Sequence, residues 1–184
     1  MAGPAERAAH RAGPRLRAWL AAATVLVLVV AADQLSKAAV RDSITPGEER
    51  RFLPGVELVN TRNHGVAFGF LPGSHVGVTI LIAVALLALL AYFALHVTRP
   101  LIWLPTGLLI GGAVGNVVDR LHSGSVTDFL KLPLGWPPFN LADAAITIGV
   151  LVLFLVADRG RSRANDDEAG SERGPGEPEA RTRP

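Results

Sequence analysis

Four long apolar blocks constrain what this sequence can fold into more than any other feature. They lie at 16–32, 76–97, 101–118 and 141–157. A helix needs about 20 apolar residues to cross the hydrocarbon core of a bilayer, and its backbone groups must be paired within the segment. Blocks of this length predict transmembrane helices, because barrel strands are shorter and alternate in polarity. We therefore expect helices at about 16–36, 76–97, 101–119 and 140–158.

The placement of arginine predicts the orientation of these helices. Basic residues precede the first block, occupy the short turn after the second and follow the fourth: Arg7, Arg11, Arg15, Arg17, Arg99, Arg159, Arg161 and Arg163. Four spans put these regions on one side of the membrane, and loops rich in Lys and Arg are cytoplasmic. We expect both termini in the cytoplasm, with a basic segment at 1–15, a membrane domain at 16–158 and a tail at 159–184.

The segments between and after the blocks predict two further features. The extracytoplasmic segments are expected at 38–75 and 120–138, and the first contains short β-prone runs around Phe52, Val56 and Leu58. The tail is rich in Arg, Asp, Glu, Gly and Pro, which predicts disorder. The expected fold class is an all-α membrane protein, a bundle of four transmembrane helices with a small β-containing segment after the first helix.

Composition excludes several classes of function. The chain of 184 residues contains no cysteine, so disulfides, thiolate metal sites and a cysteine nucleophile are excluded. The net charge is only +2, and we expect no nucleic-acid partner. We also expect no cofactor and no metal, because His64 and His122 lack the HExxH-type spacing of a metallopeptidase. Ser36 and Lys37 are adjacent on a helix and cannot face each other, which disfavours a serine–lysine peptidase.

Ionisable and amide side chains cluster at one end of the predicted spans, where they are costly and become candidates for function. By the predicted topology all lie at the extracytoplasmic boundary: Asp33, Lys37, Asn116, Asp119, Arg120, Asp128, Asn140 and Asp143. The i,i+4 spacing of Asp33 and Lys37 puts this pair on one helix face, and the same holds for Asn116 and Arg120. These distant segments are therefore expected to converge on one site.

Asp128, expected in the loop before the fourth helix, and Asp143, at the start of that helix, are a candidate pair. Two neighbouring carboxyl groups cannot both ionise at low cost, so they share one proton. The ionised member can take a proton from water while the other donates to a carbonyl oxygen, which is the chemistry of peptide hydrolysis. On chemistry alone Asp33 or Asp119 fits as well, and a proton-coupled transporter or a non-catalytic scaffold remains open.

Five short motifs narrow this choice. They are DQLSK at 33–37, NHGVAF at 63–68, GGAVGNVVDR at 111–120, VTDF at 126–129 and FNLAD at 139–143. The third also carries a small-xxx-small pair, Gly111 and Gly115, which permits close helix approach. With these motifs the sequence resembles the lipoprotein signal peptidases, the type II signal peptidases of bacteria, over about residues 19–158.

The resemblance implies an aspartic endopeptidase of the bacterial cytoplasmic membrane, with Asp128 and Asp143 as catalytic residues. It implies that the enzyme removes the signal peptide from diacylglyceryl-modified prolipoproteins. Cleavage would occur just before the lipidated cysteine, at the outer face of the cytoplasmic membrane. Supporting or substrate-binding positions would be Asp33, Lys37, Asn63, Gly65, Asn116, Asp119, Arg120, Asn140 and Ala142. The implied partners are lipidated precursors and membrane lipids. We expect a monomer, and the family is the target of cyclic peptide antibiotics such as globomycin.

Overall fold

The computed structural model describes residues 4–64, 75–133 and 135–172. Within these residues the helices and strands are, in chain order, α1 (Pro4–Ser43), β1 (Glu49–Leu53), β2 (Val56–Asn63), α2 (His75–His96), α3 (Trp103–Ser123), β3 (Val126–Lys131) and α4 (Leu141–Glu172). Each predicted helical segment overlaps one of these helices. Two stretches, Gly13–Ser43 and Leu141–Asp158, are long and apolar enough to cross a membrane.

Large apolar side chains point outward from the two long helices. Leu28 on α1 is 63% exposed, and Phe154 on α4 is 71% exposed. A core helix of a water-soluble protein would bury such side chains against neighbouring elements. This outward apolar surface therefore fits a protein surrounded by lipid.

Both α1 and α4 are longer than the predicted spans. Helix α1 continues beyond 36 to Ser43, and α4 runs to Glu172. The first part of the tail that we predicted to be disordered is therefore helical, while 173–184 lie outside the described residues. No proline interrupts 159–172, and a helix already nucleated in the span can propagate through its Arg, Ala and Glu residues.

The three strands form one antiparallel sheet in the order β1-β2-β3. The β1–β2 hairpin confirms the predicted strand region, and Gly55 at its turn has a φ of 79°, which glycine adopts without strain. The prediction that Asp128 lies in a loop was wrong. Asp128 lies on β3, where it pairs with Thr61 of β2. The first four residues of β3 are all buried, so no alternation of polarity marks it in the sequence.

Helix α3 lies between α1 and α4, and its glycines bring the three helices together. A Cβ atom added at Gly107 would lie 2.6 Å from the Cβ of Val25 on α1. One added at Gly112 would overlap the backbone carbonyl of Ala142 on α4. Gly111, from the small-residue pair noted in the sequence, also packs against α1. Close approach of these backbones places polar side chains from three helices within hydrogen-bonding reach.

A small apolar cluster fixes the sheet to the end of α1. Val40, Ile44 and Phe129 are buried against one another. The backbone N–H of Phe129 also donates to the carbonyl of Phe139, which leads into α4. Strand β3 is thereby held between the ends of α1 and α4, and this position determines where Asp128 lies.

Candidate active site

A fully buried lysine forms the centre of the polar network between α1 and α3. The Nζ atom of Lys37 lies 2.7 Å from Oδ2 of Asp33 and 3.1 Å from Oδ2 of Asp119. It also donates a 3.0 Å hydrogen bond to Oδ1 of Asn116. An ammonium group has three N–H donors, and these three acceptors match them. The predicted convergence of the first and third helices is therefore present as a compact ionic cluster.

The same cluster extends to the start of α4. Oδ1 of Asp33 accepts a 2.9 Å hydrogen bond from the backbone N–H of Ala142. The first N–H groups of a helix have no partner within it, so an aspartate on α1 satisfies one of those on α4. Nε2 of Gln34 lies 3.0 Å from the carbonyl of Gly115 and 3.2 Å from Oδ1 of Asp119. Gln34 therefore joins α1 to α3 beside the ion pairs.

Asp128 reaches the site because β3 follows α3 almost immediately. Helix α3 ends at Ser123, and Gly124 caps it with a φ of 69°. The backbone N–H of Thr127 then donates a 3.0 Å hydrogen bond to Oδ2 of Asp119. The carboxyl group of Asp128, only 3% exposed, accepts hydrogen bonds from Nδ2 of Asn63 at 3.0 Å and from Nδ2 of Asn140 at 2.7 Å.

Asp143 lies in the first turn of α4, in a reciprocal capping arrangement. The backbone N–H of Asn140 donates to Oδ2 of Asp143 at 3.3 Å, and the N–H of Asp143 donates to Oδ1 of Asn140 at 3.0 Å. Such a box satisfies two free N–H groups of the helix start. Nδ2 of Asn116 donates a further 2.8 Å hydrogen bond to Oδ1 of Asp143. Asn116 therefore connects Lys37 to Asp143 with its two amide atoms.

Asn140 is the residue that the two carboxyl groups share. It is fully buried, and it donates to Asp128 through its side chain and to Asp143 through its backbone. Arg120, on α3, donates to the carbonyl of Asn116 at 3.2 Å. It is also close enough for its charge to act on both carboxyl groups. Two carboxyl groups from different elements are therefore held in one polar site.

The environment of Asp128, on β3 outside the helices, favours its protonated form. Burial raises the pKa of Asp128 from its ordinary value of 3.8 to about 6. The amide donors of Asn63 and Asn140 oppose this rise in the pKa, whereas the negative charge of Asp143 adds to it. A carboxylic acid that holds its proton at mildly acidic pH can act as a proton donor.

The structure brings together nearly all the site residues expected from the sequence. Within the described residues these contact either the Lys37 cluster or a carboxyl group: Asp33, Asn63, Asn116, Asp119, Arg120, Asn140 and Ala142. Gly65, with the rest of its motif after His64, lies outside the described residues. Gln34 and Thr127 also contact this network, and we did not predict a role for either from the sequence. Gln34 lies within the first motif, but no spacing rule distinguishes it there.

Two features together define the class of this protein as a membrane enzyme. Its helices carry apolar side chains that face outward, and they surround a buried network of ion pairs and carboxyl groups. A sequence model of the family described as signal peptidase (SPase) II matches residues 25–157. The lipoprotein signal peptidase of Moorella thermoacetica is 46% identical over 131 residues, covering 69% of this chain and 85% of the relative. That of Syntrophomonas wolfei is 43% identical, covering 71% and 88%.

Solved structures agree with the sequence comparisons. A bacterial membrane enzyme determined by the in meso method at 2.3 Å resolution superposes with a TM-score of 0.72 at 28% identity, covering 77% of this chain and 90% of that one. A second such structure, at 1.9 Å, gives a TM-score of 0.69. The chain belongs to the signal peptidase II family, and it is therefore a protease of bacterial membranes.

Proposed function

We propose that this chain is an aspartic endopeptidase that removes the signal peptide from diacylglyceryl-modified prolipoproteins, cutting just before the lipidated cysteine. Its family and the names of its relatives support the substrate class. The observation that supports the aspartic mechanism most strongly is the position of Asn140. This one buried residue hydrogen-bonds to both Asp128 and Asp143, so two carboxyl groups are available at one place.

In this proposal Asp143 is the base and Asp128 is the acid. Asp143 lies in the first turn of α4, where the helix dipole favours a negative charge. It also accepts from Asn116, whose other amide atom accepts from the positive Lys37. Asp128 accepts hydrogen bonds from the neutral amides of Asn63 and Asn140, and burial raises its pKa to about 6. The shared proton therefore belongs on Asp128.

The reaction then needs one water molecule between the two carboxyl groups. Asp143 takes a proton from this water while the water oxygen attacks the scissile carbonyl carbon, and Asp128 gives its proton to the carbonyl oxygen. In the second step Asp143 gives its proton to the leaving amide nitrogen as the C–N bond breaks. Asp128 takes a proton from the tetrahedral intermediate, which restores a carbonyl and regenerates the starting state. Asn116, Arg120 and Asn140 orient the carboxyl groups or the substrate backbone.

The proposed topology places this reaction at the outer membrane surface. Four helices span the cytoplasmic membrane, with both termini, including the segments at 1–15 and 159–184, in the cytoplasm. The substrate enters sideways from the bilayer, so its acyl chains stay in lipid and only the cleavage site reaches the water. Asn63, the last residue of β2, takes part in the site through its hydrogen bond to Asp128. The enzyme works as a monomer among membrane lipids.

The direct test compares a diacylglyceryl-modified precursor with the same precursor lacking the lipid, using the purified protein in liposomes. We expect a product that begins at the lipidated cysteine, identified by its mass, and little cleavage of the unmodified precursor. Equal cleavage of both precursors would contradict the proposed substrate class, and no cleavage of either would contradict the function. Inactivation by a chelator would contradict the metal-free mechanism.

A further inference from the structure

Two arginines meet at one hydroxyl group beside the carboxyl pair. Nη1 of Arg41 donates to Oγ1 of Thr127 at 3.2 Å, and Nη1 of Arg62 donates to the same oxygen at 3.3 Å. Nη1 of Arg62 also lies 3.4 Å from Oγ of Ser123. Thr127 is fully buried, whereas Arg41 is 30% exposed and Arg62 is exposed to solvent. Two positive groups therefore share one neutral acceptor at the protein surface.

Nearby carboxylates do not balance these charges. The carboxylate of Asp119 lies 4.0 Å from Nη1 of Arg41, but it also holds Lys37 at 3.1 Å and the N–H of Thr127. Among the residues that the structure describes, no carboxylate forms an ion pair with Arg62. Asp119 is therefore shared between Lys37 and Arg41, and its contact with Arg41 is the longer of the two.

The remaining described acidic residues on this side form no ion pair with Arg41 or Arg62. Glu48 pairs with Arg50, whereas Glu49 and Glu57 pair with Lys131. Asp42, adjacent to Arg41 along α1, forms no ion pair with a described residue. The segment 65–74 contains no acidic residue in the sequence. Among the described residues Arg62 therefore has no carboxylate partner, and Arg41 has only the shared Asp119, so an external anion could bind both guanidinium groups.

The position of Arg41 and Arg62 relative to the membrane indicates which anion could bind them. Arg41 lies in the last turn of α1, and Ser123 is the last residue of α3. In the proposed topology, on which this inference rests, both helices leave the bilayer here at the depth of the outer-leaflet headgroups. Guanidinium groups present several N–H donors in a plane and bind phosphate oxygens in pairs. The contacts of Arg41 and Arg62 with Thr127 and Ser123 are all made by Nη1 of each guanidinium group.

We propose that Arg41 and Arg62 form a binding site for the phosphodiester group of an anionic phospholipid in the outer leaflet. Bound there, the phosphate would bridge α1 to β2 and relieve the repulsion between the two guanidinium groups. Thr127, which both arginines contact, immediately precedes Asp128 on β3. The lipid would therefore steady the strand that carries the proton donor.

Native mass spectrometry of the full chain in detergent tests this site directly. We expect the wild-type chain to retain one phosphatidylglycerol molecule more tightly than phosphatidylcholine. The variant Arg41→Gln/Arg62→Gln should lose about tenfold in phosphatidylglycerol affinity, because it lacks both charge-assisted contacts. Arg50→Gln is the matched control, since Arg50 is an exposed arginine of the same sheet that already pairs with Glu48. It should bind phosphatidylglycerol as the wild-type chain does.

Two results would overturn the proposal. One is equal phosphatidylglycerol binding by the wild-type chain and the double variant. The other is displacement of the lipid by glycerol phosphate at comparable concentration, which would indicate a site for free phosphate esters. If the double variant does not fold, the single variant Arg62→Gln decides, because Arg62 is exposed. The lipid-binding assay contains no precursor, so a negative result in it does not affect the proposed peptidase function. Conversely, a negative result in the cleavage assay does not affect the proposed lipid site.

Discussion

At the scale of single residues, two aspartates of identical chemistry occupy different environments. Asp128 is buried on a strand and accepts from two neutral amides. Asp143 lies at the positive end of a helix and is connected through Asn116 to the charge of Lys37. Environments that separate the proton affinities of two carboxyl groups assign one of them as acid and the other as base. In the proposed mechanism the network around Lys37 therefore helps to assign the acid and the base, in addition to holding the helices together.

The raised pKa of Asp128 predicts an alkaline limit to activity. The acid must hold a proton, so kcat/KM should fall as the pH rises through about 6. Asn63→Ala removes a donor that lowers the pKa of Asp128, so this pKa should rise and the alkaline limb should move to higher pH. The pH profile of kcat/KM measures the shift, with Thr61→Ala on the same strand as control. An alkaline limb at the same pH in Asn63→Ala would contradict the assignment of Asp128 as the acid.

Lys37 is expected to be the most costly single residue of the network to remove. Lys37→Met leaves the carboxylates of Asp33 and Asp119 buried without their cation, which should cost about 3–5 kcal/mol of unfolding free energy. Lys131→Met is the control, because the ion pairs of Lys131 are exposed to solvent and contribute little to stability. Thermal unfolding in detergent measures both, and Asp33→Asn should recover part of the loss in Lys37→Met. Equal effects of the two lysine variants would refute this ranking.

At the scale of elements, the glycine-lined faces of α3 determine how closely the helices approach. Gly112→Ala would drive a Cβ atom into the carbonyl of Ala142 and push α4 away from α3. We expect a loss of about 1–3 kcal/mol and lower activity, since Asn116 would move away from Asp143. Thermal unfolding and cleavage rate are the measurements. Gly13→Ala, with open space around its added Cβ atom, should change neither, and a neutral Gly112→Ala would contradict this packing role.

The elements also show what a sequence can and cannot reveal. The helices were predictable because a membrane span requires a long apolar block, and the hairpin because its turn carries glycine and proline. Strand β3 was not, because its pairing partner is distant in sequence and burial on both faces removes the alternation. The motifs predicted which polar residues lie close together. Which of them form hydrogen bonds or ion pairs with one another could be determined only from the structure. The contacts of Gln34 with Gly115 and Asp119 depend on the spacing between α1 and α3, which no local pattern encodes.

At the scale of the whole molecule, the proposed site of cleavage depends on which side of the membrane each segment occupies. The chain has no cysteine, so single cysteines can report their own exposure to a membrane-impermeant thiol reagent. In intact spheroplasts we expect labelling of Thr45→Cys, which follows α1 on the outer side. Thr98→Cys, between α2 and α3, and Ser162→Cys should react only after the membrane is permeabilised. The opposite pattern would place the carboxyl pair on the cytoplasmic side and contradict the proposed entry of the substrate.

The central claim is that Asp128 and Asp143 act together in hydrolysis at the outer membrane surface. The most direct measurement is the cleavage rate of a diacylglyceryl-modified precursor in liposomes by Asp128→Asn and, separately, by Asp143→Asn. We expect the cleavage rate to fall about 10²–10⁴-fold in each variant, because each loses a proton-transfer group. Thermal unfolding should show that both variants remain folded. Cleavage at the wild-type rate by either variant would contradict the central claim.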